Sequence, residues 1–380
     1  MPKGKSDQRR AAAGPAAVDA KELAELRRRL LAFYRASRRD LPWRRTADPY
    51  AVWVSEIMLQ QTQVKTVLPR YPVFLARFPT IAALAAASTL EVCEAWAGLG
   101  YYRRAQNLHR AAEVVVREHR GELPRALAAL RTLPGIGRYT AGAIASIAFG
   151  EAAPVVDGNV VRLFSRLWMI DAAQDGDAGI WRLAEALAQG EAPGDLNQAL
   201  MEMGAIVCTA ALPACPRCPV RRHCRAYAAS AVERFPTAKK ARVASRLKVA
   251  FAWLSCRRGV WLEQRPLGGL WAGLWELPSA SGPGAKTRLE GQLRVVLGRP
   301  IAKVEHQLTH RDVTAVVYVP ARAPAALLTP PPVPVPGPGR AGAKIAAPRS
   351  RSRLWPDPLA APLSALARKA IVATQAKLRP

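Results

Sequence analysis

A cluster of cysteines constrains the fold of this chain more than any other feature. Four of the six cysteines lie within seventeen residues, as Cys208, Cys215, Cys218 and Cys224 in the spacing C-x6-C-x2-C-x5-C. Thiolates gathered at short spacings bind soft metal centres, either zinc or an iron–sulfur cluster. Zinc knuckles usually pair two C-x2-C units, whereas the uneven gaps here wrap one loop around a bulkier object. The spacing therefore favours a 4Fe–4S cluster over zinc.

Length and net charge limit the kind of partner. The chain has 380 residues and a formal charge of +28, so we expect two or three domains and a polyanionic partner, with nucleic acid the first candidate. A solvated cationic surface from an arginine-rich proteome is the simpler alternative. No run of 18 or more apolar residues is present, so no membrane span is expected. Reduced thiols fit a reducing compartment, and we expect a location in a bacterial cytoplasm or nucleoid.

The periodicity of apolar residues divides the chain. After a basic tail without a secretory apolar core at residues 1–18, residues 19–207 follow a helical pattern up to the cysteine loop at 208–227. Residues 228–248 are charged and indicate a linker. Residues 249–375 change to an α+β pattern, which a segment rich in Pro, Ala, Gly and Arg interrupts at 321–353. We expect that segment to be a disordered loop, and the predicted fold class is multidomain, an all-α domain followed by a smaller α+β domain.

A glycine-containing turn between two helices predicts a grip on an anion. The sequence L-P-G-I-G at residues 133–137 precedes a helix expected over Arg138–Phe149. Gly135 and Gly137 let the backbone approach a partner closely, and the amides at the helix start point at an anion. This is the helix-hairpin-helix arrangement, which holds a DNA backbone without reading its sequence. A plain corner between two helices is the alternative.

Two carboxylates stand where their protonation states should differ. Asp157 should cap the next helix, which would keep its pKa low and leave it ionised. An ionised carboxylate aimed at a sugar stabilises an oxocarbenium-like transition state. Glu56 stands among apolar residues in a helix that Asp48 and Pro49 should begin. An apolar pocket would raise its pKa and let it act as a general acid, whereas a solvated helix face is the simpler reading.

Taken together, these segments resemble the adenine DNA glycosylase (MutY) family, within the helix-hairpin-helix glycosylases that also include endonuclease III. The resemblance is carried by W-V-S-E-I-M-L-Q-Q-T at 53–62, G-L-G-Y-Y at 98–102, L-P-G-I-G at 133–137, D-G-N at 157–159 and the cysteine array. It covers about residues 23–320 and again 354–375. It implies a base-excision repair enzyme with one 4Fe–4S cluster that acts as a monomer on double-stranded DNA. Its substrate would be adenine mispaired with 8-oxoguanine or guanine, which it would flip out and release by hydrolysing the N-glycosidic bond.

The resemblance also implies roles for four catalytic residues. Glu56 would protonate N7 of the extruded adenine, and Asp157 would stabilise the cationic sugar, directly or through a transient covalent adduct. Tyr139 and Asn159 would position these groups. Endonuclease III carries a lysine nucleophile where this sequence has Tyr139, and a tyrosine cannot form a Schiff base. A monofunctional glycosylase is therefore implied, and the alternative is an endonuclease III-like glycosylase/lyase for oxidised pyrimidines.

Further residues are implied to contact DNA or the extruded base. The hairpin glycines Gly135 and Gly137 would hold the backbone. Three residues would wedge into the space left by the flipped base, namely Gln61, Leu99 and Tyr101. Three more match positions around adenine, namely Trp43, Arg44 and Glu202. Ordinary core packing is the alternative for Trp43.

The C-terminal part resembles the Nudix-like domain of the same family. Its signature segments are Q-R-P at 264–266 and G-L-W-A-G-L-W-E-L-P at 269–278. H-Q-L-T-H at 306–310 matches the segment that senses 8-oxoguanine, where Thr309 and His310 would contact DNA. Thr309 stands where the best-known members have serine. A working Nudix hydrolase needs several glutamates on one helix, and residues 285–298 offer only Glu290, so nucleotide hydrolysis is not expected.

Overall fold

The computed structural model describes residues 19–171, 176–237, 244–308, 310–322 and 352–378. The predicted N-terminal tail, Thr309 and most of the predicted Pro-rich loop lie outside these ranges. No helix in the described ranges is both long enough and apolar enough to cross a membrane.

The described chain begins with a helical part and continues into a mixed part. The helices are α1 Ala20–Ser37, α2 Pro49–Leu59, α3 Val64–Val67, α4 Tyr71–Arg77, α5 Ile81–Ala86, α6 Thr89–Ala95, α7 Arg103–Glu118, α8 Leu127–Leu130, α9 Arg138–Phe149, α10 Gly158–Trp168, α11 Ala178–Ala188, α12 Pro193–Ile206, α13 Arg225–Ala228, α14 Ala285–Leu293 and α15 Ala365–Leu378. The strands are β1 Ser245–Ala252, β2 Ser255–Cys256, β3 Gly259–Gln264, β4 Trp275–Glu276, β5 Ser279–Ser281, β6 Leu297–Leu308, β7 Arg311–Pro320 and β8 Ser352–Trp355. The predicted multidomain class, all-α and then α+β, is confirmed.

The chain packs into two units, and each unit combines three separate segments of the sequence. The first unit contains the described residues of Met1–Gln60, Thr80–Ala82 and Ala111–Lys240. The second contains the described residues of Gln61–Pro79, Ala83–Arg110 and Ala241–Pro380.

Helix caps and close helix packing shape the first unit. Asp48 begins α2 by accepting hydrogen bonds from the amides of Tyr50 and Ala51, as the Asp-Pro pair predicts. The core forms around α1, α10, α11 and α12, with Phe164 and Met203 fully buried. At Gly204 in α12 the backbone approaches α10 so closely that a Cβ would lie 2.4 Å from the Cβ of Asn159. Glycine is therefore required there for α12 to press against the start of α10.

Two sheets and the helices α14 and α15 make up the C-terminal part of the second unit. One sheet has the strand order β5-β1-β7-β6, in which β1 and β7 are parallel and the other pairs antiparallel. The other contains β2, β3 and β4, with β8 paired to β3. Phe251, Leu262 and Leu366 lie in the core between the sheets and α15.

The helices α6 and α7 pack against a loop of the mixed part within the second unit. The side-chain amide of Gln106 in α7 donates a hydrogen bond of 2.9 Å to the carbonyl of Leu267. A Cβ on Gly273, whose φ is +77°, would lie 3.3 Å from the Cβ of Cys93 in α6. The loop between β3 and β4 is thus fitted to these two helices.

Two predicted loop boundaries are wrong. β1 begins at Ser245, inside the predicted linker 228–248, because Ser245–Lys248 pair with the start of β7. β8 begins at Ser352, inside the predicted insertion 321–353, because Ser352 and Arg353 pair with β3. Both stretches are polar and lack strand periodicity, so only their distant partners in the sheets define them as strands.

Candidate active site

Glu56 is a buried carboxyl in the middle of α2. Its side chain is only 5% exposed, and its Oε2 accepts a hydrogen bond of 2.7 Å from the Tyr139 hydroxyl. Burial raises the pKa of Glu56 to about 7; the Tyr139 hydrogen bond opposes this rise, and the charge of Asp157 adds to it. The raised pKa that the apolar helix predicts is therefore confirmed, and Glu56 can hold a proton near neutral pH.

Tyr139 joins α2 to α9 at this carboxyl. Burial and the nearby carboxylates Glu56 and Asp157 raise the pKa of Tyr139 well above its ordinary value, so the hydroxyl stays a proton donor. It also lies 3.3 Å from the sulfur of Met201 in α12. One turn away, the Gln60 side-chain amide donates a hydrogen bond of 3.0 Å to the Thr140 hydroxyl, which fixes α9 along α2.

Asp157 caps α10 at the same site. Its carboxylate accepts hydrogen bonds of 2.8 Å from the Val160 amide and 2.7 Å from the Asn159 side-chain amide. The prediction of a lowered pKa is nevertheless wrong. Burial raises the pKa of Asp157 above its ordinary value and outweighs these hydrogen bonds. The helix start supplies donors as predicted, but tertiary packing removes the carboxylate from water.

The site therefore combines two carboxyl groups whose surroundings differ. Glu56 has a pKa of about 7 and accepts one hydrogen bond from a neutral phenol. Asp157 accepts hydrogen bonds from two N–H groups, which favour its ionised form. At neutral pH such a pair can offer one proton donor and one anion to the same substrate.

Glu202 is enclosed by two arginines beside this site. Its side chain is fully buried, and its oxygens accept hydrogen bonds of 2.7 and 2.8 Å from Arg39 and 2.8 Å from Arg44. Burial alone would raise the pKa of Glu202, but the hydrogen bonds from Arg39 and Arg44 outweigh it and lower the pKa to about 2. Trp43, which precedes Arg44, is buried. Arg44 also lowers the pKa of Glu56 through its charge, so this network acts on the Glu56 carboxyl.

The hairpin before α9 has the open backbone that the sequence predicts. Gly135 adopts a φ of +79°, which favours glycine, and Gly137 caps α9. A Cβ on Gly137 would meet no atom within 4 Å. The space beside Gly137 at the start of α9 is therefore open.

The three predicted wedge residues differ in exposure. Gln61 is exposed with a φ of +54°, and Tyr101 is 43% exposed with a φ of +47°. Leu99 is only 4% exposed, so its side chain contributes to packing in this conformation. In the turn before α7, Tyr101 therefore has the solvent-exposed side chain.

The four clustered cysteines line one small cavity beneath α10. None of them forms a disulfide, and Cys208 is buried while Cys215, Cys218 and Cys224 are half-buried. The guanidinium of Arg166 donates a hydrogen bond of 3.3 Å to the Cys208 sulfur. In the part of the chain that the structure describes, no three His, Cys, Asp or Glu side chains are placed to hold a single metal ion.

The predicted lesion-sensing segment lies at the turn between β6 and β7. His310 is exposed there, and its carbonyl accepts a hydrogen bond of 3.1 Å from the Ser245 amide. Thr309 is outside the described residues.

Two neighbours of the site were not predicted. Arg39 pairs with Glu202 across 163 residues of sequence, and Met201 contacts Tyr139 across 62. Neither lies in a recognisable motif. The only local signal was for Met201, which adjoins Glu202.

Comparisons with known proteins identify the class to which the chain belongs. Residues 54–188 match the HhH-GPD superfamily of base excision DNA repair proteins, and residues 249–344 match a NUDIX domain. The fold and this match define the class as helix-hairpin-helix base excision DNA repair proteins. The adenine DNA glycosylase of Mus musculus is 37% identical over an alignment of 381 positions, which covers 83% of this chain and 74% of the mouse protein. The chain belongs to the adenine DNA glycosylase family.

Other relatives match over shorter stretches. The Homo sapiens adenine DNA glycosylase is 50% identical over 220 residues, covering 55% of this chain and 40% of the human protein. The Arabidopsis thaliana enzyme is 42% identical over 303 residues, covering 68% of this chain and 48% of that protein. These two matches span less than half of each relative. A solved structure of a thermostable thymine-DNA glycosylase is similar with a TM-score of 0.52 and 32% identity, covering 56% of this chain and 100% of that one.

Proposed function

We propose that this protein is a monofunctional DNA glycosylase that removes adenine paired with 8-oxoguanine or guanine in duplex DNA. The observation that carries the proposal is the pairing of a buried, protonatable Glu56, hydrogen-bonded to Tyr139, with the capped carboxylate Asp157, whose charge acts on Glu56. Membership of the adenine DNA glycosylase family supports the choice of base. The formal charge of +28 supports duplex DNA as the partner.

Glu56 supplies the acid step in this mechanism. Tyr139 donates its hydroxyl hydrogen to Oε2 of Glu56, which leaves Oε1 to carry the catalytic proton. That proton passes to N7 of the flipped adenine. The C1′–N9 bond then breaks with its electron pair moving to the base, which leaves as neutral adenine. A pKa of about 7 keeps a large fraction of Glu56 protonated at neutral pH.

Asp157 acts on the sugar that remains. Its carboxylate stabilises the oxocarbenium ion or adds to C1′ until water attacks. Asn159 holds the carboxylate at 2.7 Å, and the close approach of Gly204 fixes Asn159 in turn. Water adds to C1′ and gives its proton to the Glu56 carboxylate, which regenerates the acid and leaves an abasic site in an intact strand.

The identity of Tyr139 argues against coupled strand cleavage, because a phenol cannot form a Schiff base. Tyr139 occupies the position where endonuclease III has its lysine, and its hydroxyl is engaged with Glu56. The endonuclease III-like alternative, a glycosylase/lyase for oxidised pyrimidines, lacks support from any residue of this site.

We also propose that Cys208, Cys215, Cys218 and Cys224 hold one 4Fe–4S cluster. All four thiols line one cavity, and a cubane binds each of four thiolates through a different iron. The uneven spacing of the four cysteines supports a cubane over a tetrahedral zinc ion. When bound, the cluster supplies structural cross-links across the loop. Arg166 supports the site by its hydrogen bond to the Cys208 sulfur.

A strand-cleavage assay tests the proposed function. The wild-type protein and Glu56→Gln are incubated with a duplex that has one adenine opposite 8-oxoguanine, and the products are analysed with and without alkali. We expect cleavage at that adenine only after alkali, and its loss in Glu56→Gln. Duplexes with thymine opposite guanine or with an oxidised pyrimidine serve as controls. Release of one of those bases in place of adenine would overturn the proposal, and cleavage without alkali would overturn its monofunctional part.

A further inference from the structure

The turn between α6 and α7 is held in an uncommon backbone conformation. Gly98 and Gly100 have φ values of +90° and +70°, and Tyr101 follows with +47°. A tyrosine in the left-handed region costs conformational energy and persists only where its surroundings fix it. Some part of the second unit must therefore hold this turn.

Arg104, in the first turn of α7, makes the contacts that can do so. Its Nη2 donates hydrogen bonds of 3.1 Å to the carbonyl of Leu99 and 3.2 Å to that of Gly100. The same nitrogen donates a hydrogen bond of 2.9 Å to the hydroxyl of Thr62, the residue after Gln61. The guanidinium also lies over the Tyr101 ring, 5.5 Å from its centroid.

The surroundings keep this guanidinium in place. It lies between two rings, because Trp96 is also 5.5 Å away, and the indole N–H of Trp96 donates to the Gly100 carbonyl at 3.1 Å. Burial lowers the pKa of Arg104 to about 10, which leaves it ionised at neutral pH. The planar guanidinium lies against both rings while its Nη2 bridges the two segments, and a lysine ammonium cannot reproduce that combination.

We propose that Arg104 is a positioning residue that joins the Gln61–Thr62 segment to the Leu99–Tyr101 turn and thereby sets Tyr101 to enter the DNA stack when the adenine leaves. This inference rests on the proposed function. Tyr101 is the exposed side chain of the turn, and Arg104 acts through it and touches no reacting atom. Preorganising the wedge lowers the cost of base flipping without changing the chemistry at Glu56.

Single-turnover excision measures the effect. We expect Arg104→Gln to slow adenine release opposite 8-oxoguanine roughly 5- to 30-fold. Arg103→Gln is the matched control, because Arg103 is the exposed neighbour and loses the same charge. Arg104→Lys keeps the charge but loses the planar group that lies against Trp96 and Tyr101, so its rate should fall between those of wild type and Arg104→Gln. Equal rates for wild type and Arg104→Lys would overturn the proposal, since only charge would then matter.

A second substrate separates flipping from catalysis. An adenine opposite an abasic site has no pairing partner and flips at lower cost. The ratio of wild-type to Arg104→Gln rates should therefore shrink to about threefold or less on that duplex. An undiminished ratio would mean that Arg104 acts elsewhere. If wild type releases no adenine from either duplex, the proposed function is wrong, and the role of Arg104 that rests on it is wrong as well.

A double-mutant cycle tests whether Arg104 acts through Tyr101. Tyr101→Ala removes an exposed ring and should slow excision to a similar degree. Because both changes affect one wedge, the double variant should be little slower than either single variant. If the rate losses of the two single variants multiply in the double variant, the proposal is wrong. Fluorescence of 2-aminopurine placed beside the target adenine, measured in a Glu56→Gln background, should rise less on binding when Arg104 is replaced. An equal rise would contradict the positioning role even if Arg104→Gln lowers stability.

Discussion

Replacing Glu56 by glutamine should stabilise the protein increasingly as the pH rises. In the folded chain, burial raises the pKa of Glu56 from 4.5 to about 7. Between these values the unfolded chain releases a proton that the folded chain retains, so stability decreases with rising pH. The contribution is fully present below about pH 4.5 and is lost as the pH passes 7. Each pKa unit corresponds to about 1.36 kcal/mol, so ionised Glu56 costs about 3 kcal/mol.

Glutamine mimics the protonated acid at this position. Its amide oxygen can accept the Tyr139 hydrogen bond, so Glu56→Gln removes the ionisation and keeps the contact. Urea unfolding of wild type and variant from pH 5 to pH 8.5 gives the difference in free energy of unfolding. That difference should move in favour of the variant by about 2–3 kcal/mol across this range. Because all other groups are common to both proteins, their titrations largely cancel. A difference that stays constant with pH would refute the reasoning.

Three further predictions concern activity, the buried ion-pair network and the cysteine loop. The rate of adenine release should fall as the pH rises above about 7, because Glu56 then loses its proton, and a pH–rate profile that is flat to pH 9 would contradict its role as acid. Glu202→Ala should destabilise the protein by about 3–5 kcal/mol, because Arg44 stays buried without its partner. Thermal unfolding measures this loss, and Glu25→Ala, which removes the exposed Glu25–Arg28 pair of α1, is the control. Cys215→Ser should abolish the visible absorbance of the cluster and lower DNA affinity, and full affinity with an unchanged melting temperature would show that the loop does not depend on it.

Local sequence signals predicted much of the fold and the acid. The helix Arg138–Phe149 has the predicted bounds, since Gly137 and Gly150 mark its two ends. The pKa of Glu56 could be anticipated because the apolar residues that enclose it belong in part to its own helix. In each case the determining neighbours lie close in sequence.

Properties that depend on distant residues could not be predicted. The pKa of Asp157 rises because packing buries a cap that local sequence alone would leave solvated. Glu202 could be assigned to the site by resemblance, but its pairing with Arg39 spans 163 residues and follows no periodicity. β8 was missed because its strand character comes from pairing with β3.

The fit of α6 and α7 to the loop between β3 and β4 has a consequence for shortened forms of this protein. A premature stop after about residue 240 would leave both catalytic carboxylates encoded. It would also remove the carbonyl that Gln106 binds and the Gly273 backbone that covers Cys93. The helices α6 and α7 would then lack the loop between β3 and β4 that packs against them. Such an allele would therefore produce a protein with an uncovered face on α6 and α7, prone to misfolding, and not one that lacks only its C-terminal sheets.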